Sequence, residues 1–376
     1  MLKMVDGSGI IGVDMVCPLG VSAPQPPNYD KVEVEGTGIL VLPNSLDAPL
    51  ERLELIGNST QGENPAPDNP QEIKSAGRFD EASGKYLLDV KITGKNLLNL
   101  QKEPDVKGLY QGWKVGNGDK GTLSIKDKGN NADISECYFG LNSDGTTSNS
   151  VTWLVDNGVI KRYHIESIEK MYACMYPPNE KIIKKITERF EIQYEYGSIA
   201  TEYQPYKEQT LTITSDRPIT KWDKLVEQGG QIGWLYGSVI ATIDETADIS
   251  LYAPNGFFIH VKNIDKKEKS GYCDKLYTKK MSNGEPFVLF GIANNNFLYT
   301  LNTQEFYGKT ASEIKAKLKE YPLNIIGKSE TTEFVPLPQS EQNAIRALKT
   351  YYPTTVITVD GGEVDPDIKV TYRKEI

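Results

Sequence analysis

The strongest constraint on the fold of this chain is a period-two alternation of apolar residues that recurs between residues 53 and 372. Successive side chains of a β-strand point to opposite faces of a sheet, so this alternation predicts half-buried strands. Clusters rich in Gly, Asn and Asp, such as 127–131 and 360–362, separate the segments and predict turns. Many short strands with such turns indicate β-sandwiches. The alternating sets are Leu53/Leu55; Tyr86/Leu88/Val90/Ile92; Phe190/Ile192/Tyr194; Leu211/Ile213; Val239/Ala241/Ile243; Phe257/Ile259/Val261; Phe297/Tyr299/Leu301; and Ile368/Val370/Tyr372.

Two segments are predicted to be short helices instead. Thr310 and Glu313 have the spacing of a capping box, and the apolar residues that follow have helical spacing up to Pro322. Residues 340–351 carry a second apolar stripe before Pro353. Residues 181–190 fit either a helix or a strand, and we favour a strand from Arg189 onward.

Composition excludes several classes of protein. The 376 residues contain 42 Lys and Arg against 51 Asp and Glu, a net charge of −9, which leaves no basic excess for a nucleic-acid partner. No apolar run reaches the length of about 18 residues that a membrane span requires, and Asp6 and Asp14 interrupt any signal-peptide core. We therefore expect no membrane insertion and synthesis in a bacterial cytoplasm. The four cysteines form no C-x-x-C pair, so we expect buried free thiols.

The usual signatures of catalysis and cofactor binding do not occur in the sequence. Its two histidines, His164 and His260, lie far apart, and no hydrolase, phosphate-binding or dinucleotide motif is present. We expect no cofactor, no metal and no catalytic residue. A glycosidase needs only two suitably spaced carboxylates, which a sequence cannot reveal, so cell-wall glycoside hydrolysis stays open as an alternative.

Four aromatic residues are the candidates for ligand binding. Tyr110, Trp113, Tyr138 and Trp153 lie in a region dense with polar turns. A sugar ring stacks its C–H face on Tyr or Trp, while its hydroxyls bond to Asn, Asp and Gln. The four residues are therefore predicted to bind saccharide, with core packing as the alternative for any one of them.

Five stretches occur in a fixed order along the chain: 48–61 (APLERLELIGNSTQ), 67–73 (PDNPQEI), 94–98 (GKNLL), 197–206 (GSIATEYQPY) and 347–355 (ALKTYYPTT). In this order they resemble tail, baseplate and receptor-binding structural proteins of phages and prophages of Gram-positive bacteria. Residues 197–206 are similar to the signature that closes an inserted carbohydrate-binding-like sandwich in that family, and residues 347–355 resemble its C-terminal segment.

The resemblance implies a mainly β chain in which a jelly-roll-like sandwich, residues 88–207, is inserted in a discontinuous β-rich carrier domain, residues 36–87 and 208–376. Strand-like segments at both edges of the insert support this division. Residues 1–35, with three prolines between 24 and 27, are expected to form an extended arm that packs on a neighbouring subunit.

The function implied is that of a non-enzymatic virion structural protein of a phage tail baseplate or tail tip. Its expected partners are further copies of itself, with a trimer expected, other tail proteins, and bacterial cell-surface polysaccharide. A tail scaffold or adaptor that binds no sugar is the second alternative, beside the hydrolase.

Overall fold

The computed structural model describes residues 29–43, 46–108, 110–115, 120–143, 151–167, 172–252, 256–265, 267–278, 287–290, 297–301 and 309–375. Within these residues the chain is mainly β, as predicted, with 27 strands and three helices. No helix in the described ranges is both long and apolar enough to span a membrane.

The largest core lies between a seven-stranded and a five-stranded antiparallel sheet. In spatial order the first sheet contains β1 (Tyr29–Thr37), β27 (Asp367–Glu375), β3 (Arg52–Ile56), β18 (Lys224–Gln228), β19 (Gln231–Ile243), β25 (Leu323–Pro336) and β22 (Gly271–Cys273). The second contains β17 (Glu208–Ser215), β7 (Lys85–Thr93), β26 (Thr354–Asp360) and β2 (Ile39–Pro43), with β6 (Arg78–Asp80) also paired to β7. Alternating residues such as Leu53, Leu55, Ile368 and Val370 point inward and are buried, which explains their spacing.

The first described strand pairs with the last one. β1 runs antiparallel to β27 over nine residue pairs, from Tyr29↔Glu375 to Thr37↔Asp367. Residues 29–35 of the predicted N-terminal arm are therefore the edge strand of the seven-stranded sheet. The rest of the arm, residues 1–28, lies outside the described residues.

A second core contains only residues between 97 and 194. Its six-stranded sheet has the order β13 (Val159–Ile160), β12 (Thr152–Asp156), β11 (Tyr138–Asn142), β15 (Tyr172–Tyr176), β9 (Gln111–Lys114) and β8 (Val106–Lys107). The facing three-stranded sheet contains β14 (His164–Ser167), β10 (Gly121–Asp127) and β16 (Phe190–Tyr196). We call this unit the insert sandwich.

The insert sandwich is connected to the five-stranded sheet at one end of the strand pair formed by β7 and β17. β7 and β17 are antiparallel partners, and Thr93 is paired directly with Glu208. The backbone N–H of Gly94 donates to the carbonyl of Lys207 at 3.0 Å. The predicted insert boundary at residue 88 falls inside β7, whose residues Leu88, Val90 and Ile92 belong to the largest core.

The two longest strands, β19 and β25, extend beyond the first core and contribute residues to a third core. It includes α2 (Ala311–Glu320) and contacts a four-stranded sheet of β20 (Asp248–Tyr252), β21 (Gly256–His260), β24 (Phe297–Leu301) and β23 (Phe287–Leu289). A bulge shifts the register between β19 and β25 at Gly237: Tyr236 is paired with Glu333 and Ser238 with Lys328, so one residue of β19 lies opposite four of β25. At such an irregularity the inward face of a strand can pass from one set of alternate residues to the other. Ile232, Trp234 and Tyr236 thus enter the first core, and Ile243 enters the third.

The helices refine the sequence predictions. The capping box of Thr310 and Glu313 is present at the start of α2, and the second predicted helix is α3 (Gln339–Arg346). The ambiguous segment forms α1 (Glu180–Arg189), capped by Asn179, and passes directly into β16 at Phe190. The described residues thus contain three helices where two were predicted. The remaining strands, β4 (Ser59–Gln61) and β5 (Ile73–Ser75), form a hairpin whose loop packs on β22.

Three of the four cysteines lie in described parts of the chain. Cys137, Cys174 and Cys273 are buried free thiols, as predicted. Burial raises the pKa of the Cys273 thiol to about 12 and also raises the pKa of Cys137.

Candidate functional site

Four aromatic side chains meet on the outer face of the six-stranded sheet of the insert sandwich. Tyr110 precedes β9, Tyr176 ends β15, Tyr138 begins β11, and Trp153 lies on β12. Tyr138 is paired directly with Tyr176 across neighbouring strands, and Tyr110 is next to a residue paired with β15. We call these four residues the four-ring patch.

Each ring of the patch contacts two others. The ring centroids of Tyr110 and Tyr176 lie 5.5 Å apart, and those of Tyr138 and Tyr176 also lie 5.5 Å apart. Trp153 closes the set at 5.8 Å from Tyr110 and 5.6 Å from Tyr138. All four pairs are tilted or edge-on, the arrangements that the quadrupoles of aromatic rings favour. Tyr138, Trp153 and Tyr176 are half-buried and Tyr110 is buried, so the patch is held rigid yet reaches the surface.

A glycine allows the Trp153 strand to approach this closely. Gly140 on β11 is paired with Trp153, next to a register shift. A Cβ atom at position 140 would overlap the carbonyl oxygen of Thr152 and would lie 3.0 Å from the Cα atom of Trp153. Only glycine therefore fits at position 140. On its other side, Gly140 is paired with Cys174 of β15.

Trp113 does not belong to the patch, which corrects the sequence-based expectation for that residue. It lies three positions after Tyr110 in an extended segment, and an odd spacing places two side chains on opposite faces. The side chain of Trp113 is 2% exposed within the core of the insert sandwich. Its indole N–H donates to the carbonyl of Lys102 at 2.9 Å.

Sequence reasoning missed Tyr176. Residues 172–176 alternate between tyrosine or cysteine on one face and core residues on the other. That alternation could have identified Tyr176 as an outward residue, but its neighbours in the patch come from distant parts of the chain.

The two motifs at the ends of the insert, residues 94–98 and 197–206, contact each other at its base. Asn96 is 2% exposed. Its side-chain nitrogen donates to the carbonyls of Ile192 and Gln204, both at 3.1 Å. Its side-chain oxygen accepts from the backbone N–H groups of Leu98 at 3.1 Å and Tyr194 at 3.2 Å.

A second set of bonds joins the same motifs through Thr201. The Lys95 ammonium donates to the Thr201 hydroxyl at 2.5 Å and to the carbonyl of Glu202. The Thr201 hydroxyl donates to the buried Glu195 carboxylate at 2.6 Å, which also accepts from the Thr201 N–H at 2.9 Å. Gln204 N–H donates to the side-chain oxygen of Gln193 at 2.8 Å. We call this network the clasp; it contains Lys95, Asn96, Gln193, Glu195, Thr201 and Gln204.

One serine, histidine and carboxylate arrangement occurs away from the insert. The hydroxyl oxygen of Ser250 lies 3.0 Å from Nε2 of His260, and Nδ1 of His260 lies 3.9 Å from the carboxylate of Asp248. The side chain of Asp248 is 77% exposed. A triad relies on a buried carboxylate to orient its imidazole, so this arrangement is a surface hydrogen bond between neighbouring strands.

Asp and Asn side chains hold a series of turns in residues 127–135 of the insert sandwich. Asp127, Asn130 and Asp133 each accept a bond from the backbone N–H two residues further on, at 2.7 to 3.1 Å. Lys185 and Ser135 beside Asp133 hold the pKa of that carboxyl far below its usual range. In the part of the chain that the structure describes, no group of three or more His, Cys, Asp or Glu residues could hold a metal ion.

Comparisons with known proteins give no family for this mainly β protein. No family model matches the chain, and no curated protein matches it. A solved structure described as "Structure of infectious bursal disease virus Gx strain" aligns at 12% identity over 94% of this chain and 82% of that chain, with a TM-score of 0.08. A score of that size carries no argument about fold or function.

Proposed function

We propose that this chain is a non-enzymatic structural protein of a phage tail or tail-like particle, located at the baseplate or tail tip, and that it binds saccharide on the bacterial surface. The four-ring patch is the observation that carries the binding part of this proposal. The tail assignment rests on the ordered motifs of the sequence.

The chemistry of the patch suits a sugar chain. Three half-buried rings lie edge-on to one another on a sheet face, and pyranose C–H faces can stack on their exposed parts without displacing a core residue. The aromatic contacts within the patch fix the rings before a ligand arrives, so little side-chain entropy is lost on binding.

Weak single sites suffice if the protein is an oligomer, for which we propose a trimer. After one patch binds a surface polymer, the next binds at a high effective concentration, so overall affinity exceeds that of one site by orders of magnitude.

The test is a pull-down of the full-length protein on purified cell-wall polysaccharide, with reducing-end release measured in the same tube. Trp153→Ala removes one ring of the patch and should weaken binding about tenfold, the equivalent of roughly 1.4 kcal/mol. Tyr163→Ala is the matched control, because Tyr163 is 56% exposed in the same sandwich and is not part of the patch. Binding by the control at the level of the unmodified protein is expected.

The other outcomes decide between the alternatives. Equal binding by both variants would remove the patch from the proposal. Failure of every form of the protein to bind would favour the tail scaffold that binds no sugar. Release of reducing ends would favour the glycoside hydrolase.

A further inference from the structure

A recess lies at the base of the insert sandwich, away from the four-ring patch. Its volume is about 460 Å³, enough for one sugar unit. Its lining comes from residues 96–101, from β16 and from the chain that returns to β17, with Lys128 and Thr187 completing it. We call it the base pocket. None of its lining residues belongs to the patch.

The wall contributed by the returning chain is aromatic. Tyr203, Pro205 and Tyr206 line the base pocket. Both tyrosines are half-buried, and burial raises the pKa of each phenol. The Tyr206 hydroxyl donates to Glu208. Within the described residues no hydrogen bond involves the hydroxyl of Tyr203.

The segment after Asn96 contributes side-chain amides to the lining of the base pocket. Asn99 is half-buried, and its oxygen accepts from the backbone N–H of Gln101 at 3.0 Å. The nitrogen of Asn99 and the whole side-chain amide of Gln101 make no hydrogen bond to any described part of the chain. The base pocket is therefore lined both by amide donors and acceptors and by aromatic rings.

The floor of the base pocket is apolar. Leu98, Phe190 and Ile192 line it and are at most 7% exposed, because they also belong to the core of the insert sandwich. The clasp fixes this floor, since Asn96 bonds to the backbone of both Leu98 and Ile192.

We propose that the base pocket binds a sugar unit that carries an N-acetyl group. The acetyl methyl contacts the apolar floor, the acetamido N–H and C=O bond to the amides of Asn99 and Gln101, and the pyranose ring lies against Tyr203 and Tyr206. A sugar without the acetamido group leaves the amides and the apolar floor without partners, which is the basis of discrimination. This inference is independent of the four-ring patch.

The experiment is calorimetric titration of the full-length protein with two tetrasaccharides of the same linkage. The first is the β-1,4-linked tetramer of N-acetylglucosamine, and the second is cellotetraose, which has hydroxyls in place of the acetamido groups. We expect the first to bind at least tenfold more tightly. Asn99→Ala and Gln101→Ala should each weaken its binding about three- to tenfold, while Trp153→Ala should leave it unchanged.

Each result has a defined meaning. Gln101 is exposed, so its substitution tests the site without endangering the fold. Equal affinity for the two tetrasaccharides, no binding of either, or loss of binding in Trp153→Ala in place of the Asn99 and Gln101 variants would overturn the proposal. The last result would move the N-acetyl specificity to the patch, so the two sites are tested separately.

Discussion

Asn96 uses its one side chain to join four backbone groups from three segments of the chain. All of its hydrogen-bonding capacity is taken by Leu98, Ile192, Tyr194 and Gln204. Three of those partners lie about a hundred residues further along the sequence. The motif around Asn96 could be recognised in the sequence, but its role could not, because these bonds exist only once β16 and the returning chain are in place.

Asn96→Ala should therefore destabilise the insert strongly. Truncation leaves buried backbone donors and acceptors without partners, and we expect the free energy of unfolding to fall by roughly 3 kcal/mol. Asn99→Ala is the control, because Asn99 is half-buried and makes one local bond; it should cost less than about 1 kcal/mol. Urea unfolding followed by tryptophan fluorescence measures both. Equal midpoints for the two variants would contradict this account.

For the aromatic residues, the sequence predicts which side chains lie on opposite faces of a strand, but not which face is outward. The odd spacing of Tyr110 and Trp113 already implies opposite faces of one strand. Which face is outward depends on the covering sheet, β14, β10 and β16, and on α1 beside it. No local pattern predicts that Tyr110, Tyr138, Trp153 and Tyr176 converge, because four separate segments supply them.

At the scale of elements, the bulge in β19 divides one strand between two cores. The change is visible in the sequence, where apolar positions 232, 234 and 236 give way to 239, 241 and 243 around Gly237. The side chain that holds the bulge is Asp223, which is fully buried. It accepts from the N–H groups of Gly237 at 2.9 Å and Ser238 at 3.1 Å, and from the Ser238 hydroxyl at 2.9 Å.

Asp223→Asn should loosen the junction between the first and third cores. Asp223 also accepts from the N–H and hydroxyl of Thr220 at 2.8 Å and lies 3.5 Å from the Arg217 guanidinium. Each carboxylate oxygen thus faces donors, so the amide nitrogen of Asn would meet a donor in either orientation. We expect a loss of roughly 2 to 4 kcal/mol in the free energy of unfolding. Asp216→Asn, at a side chain that is 71% exposed, should change it by less than about 0.5 kcal/mol. Thermal denaturation of the two variants checks the difference, and an unchanged midpoint for Asp223→Asn would be inconsistent with this role.

For the whole molecule, the strand content followed from alternation, whereas the partition into three cores did not. Pairings such as β1 with β27 join the two ends of the described chain, and sequence periodicity does not specify partners. Residues from 97 to 194 form a core of their own, and the chain enters and leaves this part of the molecule where Thr93 is paired with Glu208.

Replacing residues 94–207 by an Asn-Gly turn should leave the rest of the protein folded. The ends of β7 and β17 are already antiparallel neighbours, and a two-residue turn closes such a pair. The shortened protein should retain a cooperative thermal transition and a β-type circular dichroism spectrum, and should lose binding to cell-wall polysaccharide. An unfolded product would show that the first core depends on the insert.

Alkaline pH should destabilise the whole protein. Burial raises the pKa of Cys273 from 9.0 to about 12 and raises the pKa values of Tyr236, Tyr272 and Tyr372 above 10.0. The folded state then holds protons that the unfolded state releases, so the free energy of unfolding falls as the pH rises above about 9. Cys273 alone contributes up to about 1.4 kcal/mol per pH unit between 9 and 12. Urea midpoints at pH 7.5 and pH 10, with Cys273→Ala for comparison, test this; a midpoint independent of pH would contradict it.

The pairing of Thr93 with Glu208 also determines how the molecule responds to mechanical load. Both chain connections of the insert sandwich leave from the same end of β7 and β17. Tension on a tethered insert therefore pulls the adjacent ends of β7 and β17 in the same direction. The load falls on the hydrogen bonds between β7 and its other neighbour, β26, which are sheared together along the strands. The clasp holds the two ends of the insert together, so the pair of β7 and β17 carries the load as one unit.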